Sequence, residues 1–162
     1  MAEPSFSMPT GLTKRERYKQ FHSDFAAFIE GENDLISALA NTAAALREAF
    51  GFFWVGFYLV KESEWLHLGP FQGSVACTRI KKGRGVCGTA WAKAQTLVVP
   101  DVDAFPGHIA CSSLSRSEIV VPMIKDGNVI GVLDIDSDQL AAFDEVDQEE
   151  LETLVVLLSH IA

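Results

Sequence analysis

The stretch Ile119-Val-Val-Pro-Met-Ile-Lys-Asp-Gly-Asn-Val-Ile-Gly-Val-Leu-Asp-Ile-Asp136 sets two apolar runs on either side of Asp-Gly. Short runs rich in β-branched residues favour strands, and Asp-Gly marks a tight reversal, so the stretch predicts an antiparallel hairpin. Its register decides where three acidic residues point. If Asp126, Gly127 and Asn128 form a three-residue loop, Lys125 faces Val129 and Glu118 falls opposite Asp136. A two-residue turn sends Glu118 to the other face. Asp134 and Asp136, two apart on one strand, share a face in either case.

Working outward, Phe52 to Val60 is rich in aromatic and β-branched residues and reads as a buried strand, with Trp65 to Leu68 as its partner and Thr96 to Val99 as a further short strand. Helices flank these. From Lys14 to Ile29, Tyr18, Phe21, Phe25 and Phe28 recur at three and four; from Asp34 to Phe50, Leu35, Leu39, Ala43, Leu46 and Phe50 form a similar stripe, stopped by Gly51. A closing helix is expected from Phe143, with Asp144 near its cap and Leu151, Leu154, Val155 and Leu158 on its apolar face. Strands joined by hairpins and bracketed by helices predict an α+β fold: a central antiparallel sheet with the terminal helices packed on one side. Residues 1–13, with Pro4, Pro9 and Gly11, read as a flexible lead-in to a single domain over 14–162.

Composition removes several classes of function. The formal charge is -9, and nucleic-acid binding relies on Lys and Arg neutralising phosphates, so no nucleic-acid partner is expected; the basic cluster Arg79, Lys81, Lys82 and Arg84 is too short to reverse that. No apolar run approaches the roughly 20 residues of a membrane helix, and the first residues do not resemble a secretory signal, so a soluble, cytoplasmic protein is expected.

Lys82-Gly-Arg-Gly-Val-Cys-Gly88 contains the G-x-G-x-x-G spacing of a dinucleotide loop, and Asp103 lies at a suitable distance for a ribose contact. That reading requires a strand before it, a helix after it and a parallel βαβ unit. A short helix over Thr89 to Ala94 fits, but the neighbouring strands look antiparallel, so Gly83, Gly85 and Gly88 read more simply as turn residues.

Three cysteines, Cys77, Cys87 and Cys111, are too few for a disulfide scaffold. Each sits beside small residues or in a loop, Cys111 within the long segment Pro100 to Ser117. Three uses are open to them: burial as small apolar residues, Cys₃His zinc ligation with His108, or thiol redox chemistry in which a second thiol resolves the product of the first. Asp134 and Asp136 likewise have two readings, a water-facing strand end or an inward pair that meets a cation.

The segments Gly-Pro-Phe-Gln-Gly-Ser-Val-Ala-Cys-Thr-Arg-Ile-Lys-Lys-Gly-Arg-Gly-Val-Cys-Gly-Thr-Ala-Trp (69–91), His-Ile-Ala-Cys-Ser-Ser-Leu-Ser-Arg-Ser-Glu-Ile-Val-Val-Pro-Met-Ile (108–124) and Gly-Val-Leu-Asp-Ile-Asp-Ser (131–137) together resemble the free methionine-(R)-sulfoxide reductases, small enzymes built on a GAF domain. The likeness runs from about Tyr18 to the end of the chain. It implies a GAF-like fold and reduction of free methionine (R)-sulfoxide, with thioredoxin as external reductant and neither a metal nor a bound cofactor. By the resemblance, Cys111 is the nucleophile, Cys77 the resolving cysteine and Cys87 an auxiliary one. Glu118, Asp134 and Asp136 are similar to the family's substrate-binding carboxylates, and Trp54 to the aromatic lining its methyl pocket. Family members are often homodimers. Ser112 departs from the pattern, which has an acidic residue after the cysteine. A GAF domain can also serve as a non-catalytic small-ligand or redox sensor, so the fold by itself leaves that alternative standing.

Overall fold

A computed structural model describes residues 3–162. Helix α1 (Lys14–Ile29) opens on Thr13, whose hydroxyl accepts from the Glu16 N–H, and buries Tyr18, Phe21, Phe25 and Ile29. Helix α2 (Leu35–Phe50) is capped by the Asp34 carboxylate and closed by Gly51 in the left-handed conformation. Strands β1 (Trp54–Glu62), β2 (Trp65–Gln72) and β3 (Arg79–Lys81) follow, then helix α3 (Gly85–Lys93), strand β4 (Leu97–Val99), a short 3-10 turn at Val102–Ala104, strands β5 (Ser117–Lys125) and β6 (Asn128–Ser137), and helix α4 (Glu145–Ser159). Helix α4 carries a capping box between Asp144 and Asp147. The six strands form one sheet in the order β3-β2-β1-β6-β5-β4, every neighbouring pair antiparallel.

Alternation along the strands sorts the sheet into two faces. Val55, Phe57 and Leu59 of β1, Ile119, Val121 and Met123 of β5, and Leu133 and Ile135 of β6 pack in one core with α1, α2 and α4. Trp54 and Tyr58, Val120 and Val132 point the other way, into a second, smaller core under α3. The three long helices therefore cover one face, as the sequence predicts, and α3 alone crosses the other. It has to cross: β3 and β4, which flank it in the chain, lie at opposite edges of the sheet.

The hairpin corrects the register argument in an instructive way. Lys125 pairs with Asn128, so the turn is the two-residue Asp126-Gly127 and not a three-residue loop. Both residues have positive φ, 51° and 78°, as a type I′ turn requires. Taken alone, that turn would put Glu118 on the wrong face. A bulge at Ile130 restores it: Ile124 pairs with Val129 but Met123 pairs with Gly131, and from there Glu118 falls opposite Asp136. The extra residue moved from the loop into the strand, and the acidic row survived.

Two other expectations change, and one strand is added. Strand β3 is too short to show periodicity. Helix α3 begins at Gly85 rather than Thr89, because the glycine loop itself forms its first turn. Part of the expected flexible lead-in is anchored: the Glu48 carboxylate accepts from the Ser5 hydroxyl and the Phe6 and Ser7 N–H groups, and Phe6 is buried against Phe21 and Phe25. Sequestering such a ring is worth roughly 1.5–3 kcal/mol, enough to hold a short segment down. Residues 1 and 2 of that lead-in lie outside the described residues. Helices α1 and α4 are joined by Asp147, which accepts from the Tyr18 hydroxyl at 2.6 Å and pairs with Lys14 at 2.6 Å. No described helix is long and apolar enough to cross a membrane.

Candidate active site

The second face of the sheet supplies the floor of the site. Across its central strands, Trp54 of β1, Asp136 of β6 and Glu118 of β5 lie in one row, and Asp134 lies in the next row between Gly56 and Val120. All four side chains point away from the main core because all four occupy the same phase of the pleat. Helix α3 lays Cys87 over this floor, its thiol 4.0 Å from Glu118 Oε1. Two segments close the roof: residues 73–78, carrying Cys77, and residues 105–116, carrying Cys111. They are joined by a Cys77–Cys111 disulfide with α-carbons 5.4 Å apart.

Beneath that bond lies a cavity of about 40 Å³, lined among others by Tyr58, Cys87, His108, Cys111, Glu118, Asp134 and Asp136. A larger hollow of about 820 Å³ near Arg17, Arg47 and Phe53 is a surface groove without a cysteine, and size alone does not make it a reaction site.

The electrostatics are unusual for a chain surface. Glu118 and Asp134 are each 6% exposed. Burial first, then the negative charges of Asp134 and Asp136, push the Glu118 carboxyl well above the carboxylate range. Burial and Asp134 do the same to Asp136. Asp134 is raised by burial, an effect that Glu118 and Cys87 oppose as hydrogen-bonding neighbours. Those two neighbours favour its ionised form, a support that Glu118 and Asp136 lack. Neither neighbour, however, satisfies its Oδ1, which is buried without a hydrogen-bond partner. The Cys87 thiol is pushed up by burial and by all three carboxylates, so it sits here as a neutral thiol. His108 Nε2 stands 3.8 Å from Glu118 Oε2; burial lowers the basicity of the ring and raises the Glu118 carboxyl, and both effects disfavour an ion pair.

The structure thus brings Cys77, Cys87, Cys111, Glu118, Asp134 and Asp136 to one place. Trp54 stands apart from the cavity lining. Its ring stacks on Tyr58 and Phe71, and its indole N–H donates to the Ser74 carbonyl at 2.9 Å. Tyr58 donates to the Cys77 carbonyl at 2.9 Å. Both aromatics therefore fasten the segment that carries Cys77. Tyr58 is a site residue that the sequence reading missed; the available signal was its spacing of four from Trp54 on one strand, which puts both on the same face. Ser112, at the departure from the family pattern, accepts from the Leu114 N–H within the turn.

The glycine loop has no phosphate cradle. The Gly83 N–H is spent on the Gly88 carbonyl at 2.8 Å, and a side chain at Gly88 would run into the Lys81 carbonyl, so this glycine lets α3 pack against the end of β3. The Cys₃His zinc arrangement is also excluded in this state, since Cys77 and Cys111 are bonded to each other.

A family model for the GAF domain matches residues 34–162. The free methionine-R-sulfoxide reductase of Escherichia coli is 46% identical over 93% of this chain and 91% of its own. The chain belongs to the GAF-domain family of free methionine-R-sulfoxide reductases. A crystal structure of the Neisseria meningitidis free methionine-R-sulfoxide reductase in complex with its substrate is 55% identical, with a TM-score of 0.92 over 96% of this chain and 93% of that one. A Dictyostelium discoideum relative known as GAF domain-containing protein A is 58% identical over 91% of this chain and 94% of its own. Structures of GAF domains from phosphoenolpyruvate-protein phosphotransferases, at 18% identity, share the fold alone.

Proposed function

We propose that this free methionine-R-sulfoxide reductase works through Cys111 as nucleophile and Cys77 as resolving cysteine, with the free amino acid held by Glu118, Asp134 and Asp136. The Cys111 thiolate attacks the sulfoxide sulfur while a carboxyl of the cluster protonates the departing oxygen. That oxygen passes as hydroxyl from the substrate sulfur to the Cys111 sulfur as methionine leaves, so Cys111 becomes a sulfenic acid. The Cys77 thiol attacks that sulfur and expels water, forming the disulfide, and a dithiol reductant of the thioredoxin type returns both cysteines to thiols while becoming a disulfide itself.

The observation that carries this reading is that Cys111, bonded to Cys77, lines the same cavity as Glu118, Asp134 and Asp136. Its 5.4 Å α-carbon separation suits a disulfide, and nucleophile and acid share one cavity. Glu118 and Asp136, held protonated by burial and by Asp134, are suited to give a proton at neutral pH, while ionised Asp134 is suited to meet the substrate ammonium. A peptide-linked methionine has no ammonium to offer. In the disulfide state the cavity of about 40 Å³ has room for little more than one water, whose share of liquid volume is roughly 30 Å³. A cavity of that size does not hold methionine sulfoxide, so we place substrate entry in the reduced state.

The test is a thioredoxin-coupled assay following loss of NADPH absorbance with free (R)-sulfoxide, free (S)-sulfoxide and an N-acetylated, amide-blocked (R)-sulfoxide. Turnover of the first and little of the other two is expected. Equal rates on the blocked compound would remove the carboxylates from substrate binding.

A further inference from the structure

Cys87 has no step in the chemistry above, yet its thiol, a Glu118 oxygen and an Asp134 oxygen all lie within 4.8 Å of one another and all three residues are buried. We infer that Cys87, Glu118 and Asp134 form a binding site for a thiophilic divalent cation of the zinc or cadmium type, available even while Cys77 and Cys111 are joined in the disulfide.

Four observations converge. The donor set is one sulfur and two carboxylates, which selects zinc-like ions over magnesium or calcium, whose preference is for oxygen alone. A tetrahedral zinc site, with metal–sulfur near 2.3 Å and metal–oxygen near 2.1 Å, places its ligand atoms about 3.4–3.6 Å apart. The thiol is 4.0 Å from Glu118 Oε1, so closing the set needs adjustments of side-chain torsion rather than of backbone. Asp134 Oδ1, buried and without a partner, is an orphaned acceptor on one of the three residues of the cluster. His108 Nε2, 3.8 Å from the other Glu118 oxygen, is a further nitrogen donor at the same site.

A dication also answers the local charge problem. Cys87 and Glu118 remain buried by keeping protons; an incoming cation replaces those protons, which pass to water as the thiol and carboxyl become ligands. The substrate's ammonium needs the carboxylates but has no use for the sulfur, so the thiol separates the two occupants. Competition between cation and substrate rests on the substrate reading above; the existence of the cation site does not.

The test uses the oxidised enzyme, in which Cys87 is the one free thiol. Titration with cadmium, followed by the ultraviolet thiolate-to-cadmium charge-transfer band, is expected to saturate at one ion per chain. The band is expected to vanish in Cys87→Ser. Because Cys87 is packed in the second core, Glu118→Gln gives an independent reading: it conserves shape and is expected to weaken cadmium binding at least tenfold. Absence of the band in the wild-type enzyme, a band that survives Cys87→Ser, or unchanged affinity in Glu118→Gln overturns the site. Saturating free methionine sulfoxide separates the two ideas. If the band behaves as expected but sulfoxide leaves cadmium affinity unchanged also in the Cys77→Ser/Cys111→Ser variant, where the two segments are unlinked, no turnover occurs and Cys87 is the one thiol, the cation site stands and the placement of substrate on these carboxylates falls.

Discussion

Asp134→Asn should strengthen the empty fold and weaken the enzyme, an opposite pair of effects that a purely structural residue would not produce. Burial is the main cause of the upward shifts of Glu118, Asp136, Cys87 and Tyr58, and the Asp134 charge is the next cause in all four. A buried, incompletely satisfied group costs about 1–3 kcal/mol, so removing its charge should raise the melting temperature of the substrate-free protein at neutral pH by roughly 2–4 °C per kcal/mol recovered. The pH dependence follows with its sign. Glu118 and Asp136 have raised pKa values in the folded state, so the folded chain keeps protons that the unfolded chain gives up above about pH 4. Stability is therefore complete below the ordinary carboxylate range and is lost as pH rises toward and through the raised folded values. Asp134→Asn removes one cause of both shifts, so its stability should fall less between about pH 5 and 8 than that of the wild type. Binding moves the other way. A charge-assisted hydrogen bond to the substrate ammonium is worth about 2–3 kcal/mol, which corresponds to a KM higher by roughly 30- to 150-fold. Thermal melts across pH and the coupled assay give both numbers on one preparation. A variant that melts below the wild type at the upper end of that range with an unchanged KM would refute the reasoning, and Asp134 would then be a structural residue.

Cys111→Ser should lose even a single turnover, whereas Cys77→Ser should release one methionine per chain and then stall; quantifying methionine without added reductant decides it, and first-turnover activity in Cys111→Ser would transfer the nucleophile's role elsewhere. Tyr18→Phe removes the 2.6 Å bond to Asp147 between α1 and α4 and should cost about 1.5–3 kcal/mol in urea unfolding, leaving KM unchanged; an altered KM would mean that this end of the domain communicates with the site. Gly131→Ala would bring a methyl to 2.7 Å from the Tyr58 carbonyl oxygen and 3.0 Å from Leu59 in the middle of the sheet. Overpacking of that kind costs about 1–3 kcal/mol, and because the same strand carries Asp134 and Asp136, activity should fall with stability; an unperturbed melt would show that the bulge beside Gly131 absorbs the methyl.

Much of this molecule was written in local patterns. The 3.6-residue stripe of Tyr18, Phe21 and Phe25 and the one running from Leu39 to Leu46 mark helices because each must bury one side, and α1 runs over Lys14–Ile29 as its stripe predicts. Asp134 and Asp136 share a face because a strand alternates, whatever surrounds it. Two things lay beyond any local pattern. One is the bulge at Ile130: Asp-Gly took the two-residue turn that its backbone favours, and the strand absorbed an extra residue so that Met123, Leu133 and Ile135 could still reach the main core. The burial of a whole face outweighed the regularity of one ladder step. The other is the convergence of Cys77, Cys87 and Cys111. Cys77 and Cys111 are 34 residues apart in the chain and become neighbours because α3 must cross from β3 at one edge of the sheet to β4 at the other, carrying Cys87 over the acidic row. Residue identity and spacing determined which groups were available; the order of strands in the sheet, set by which faces could be buried together, decided which of them meet.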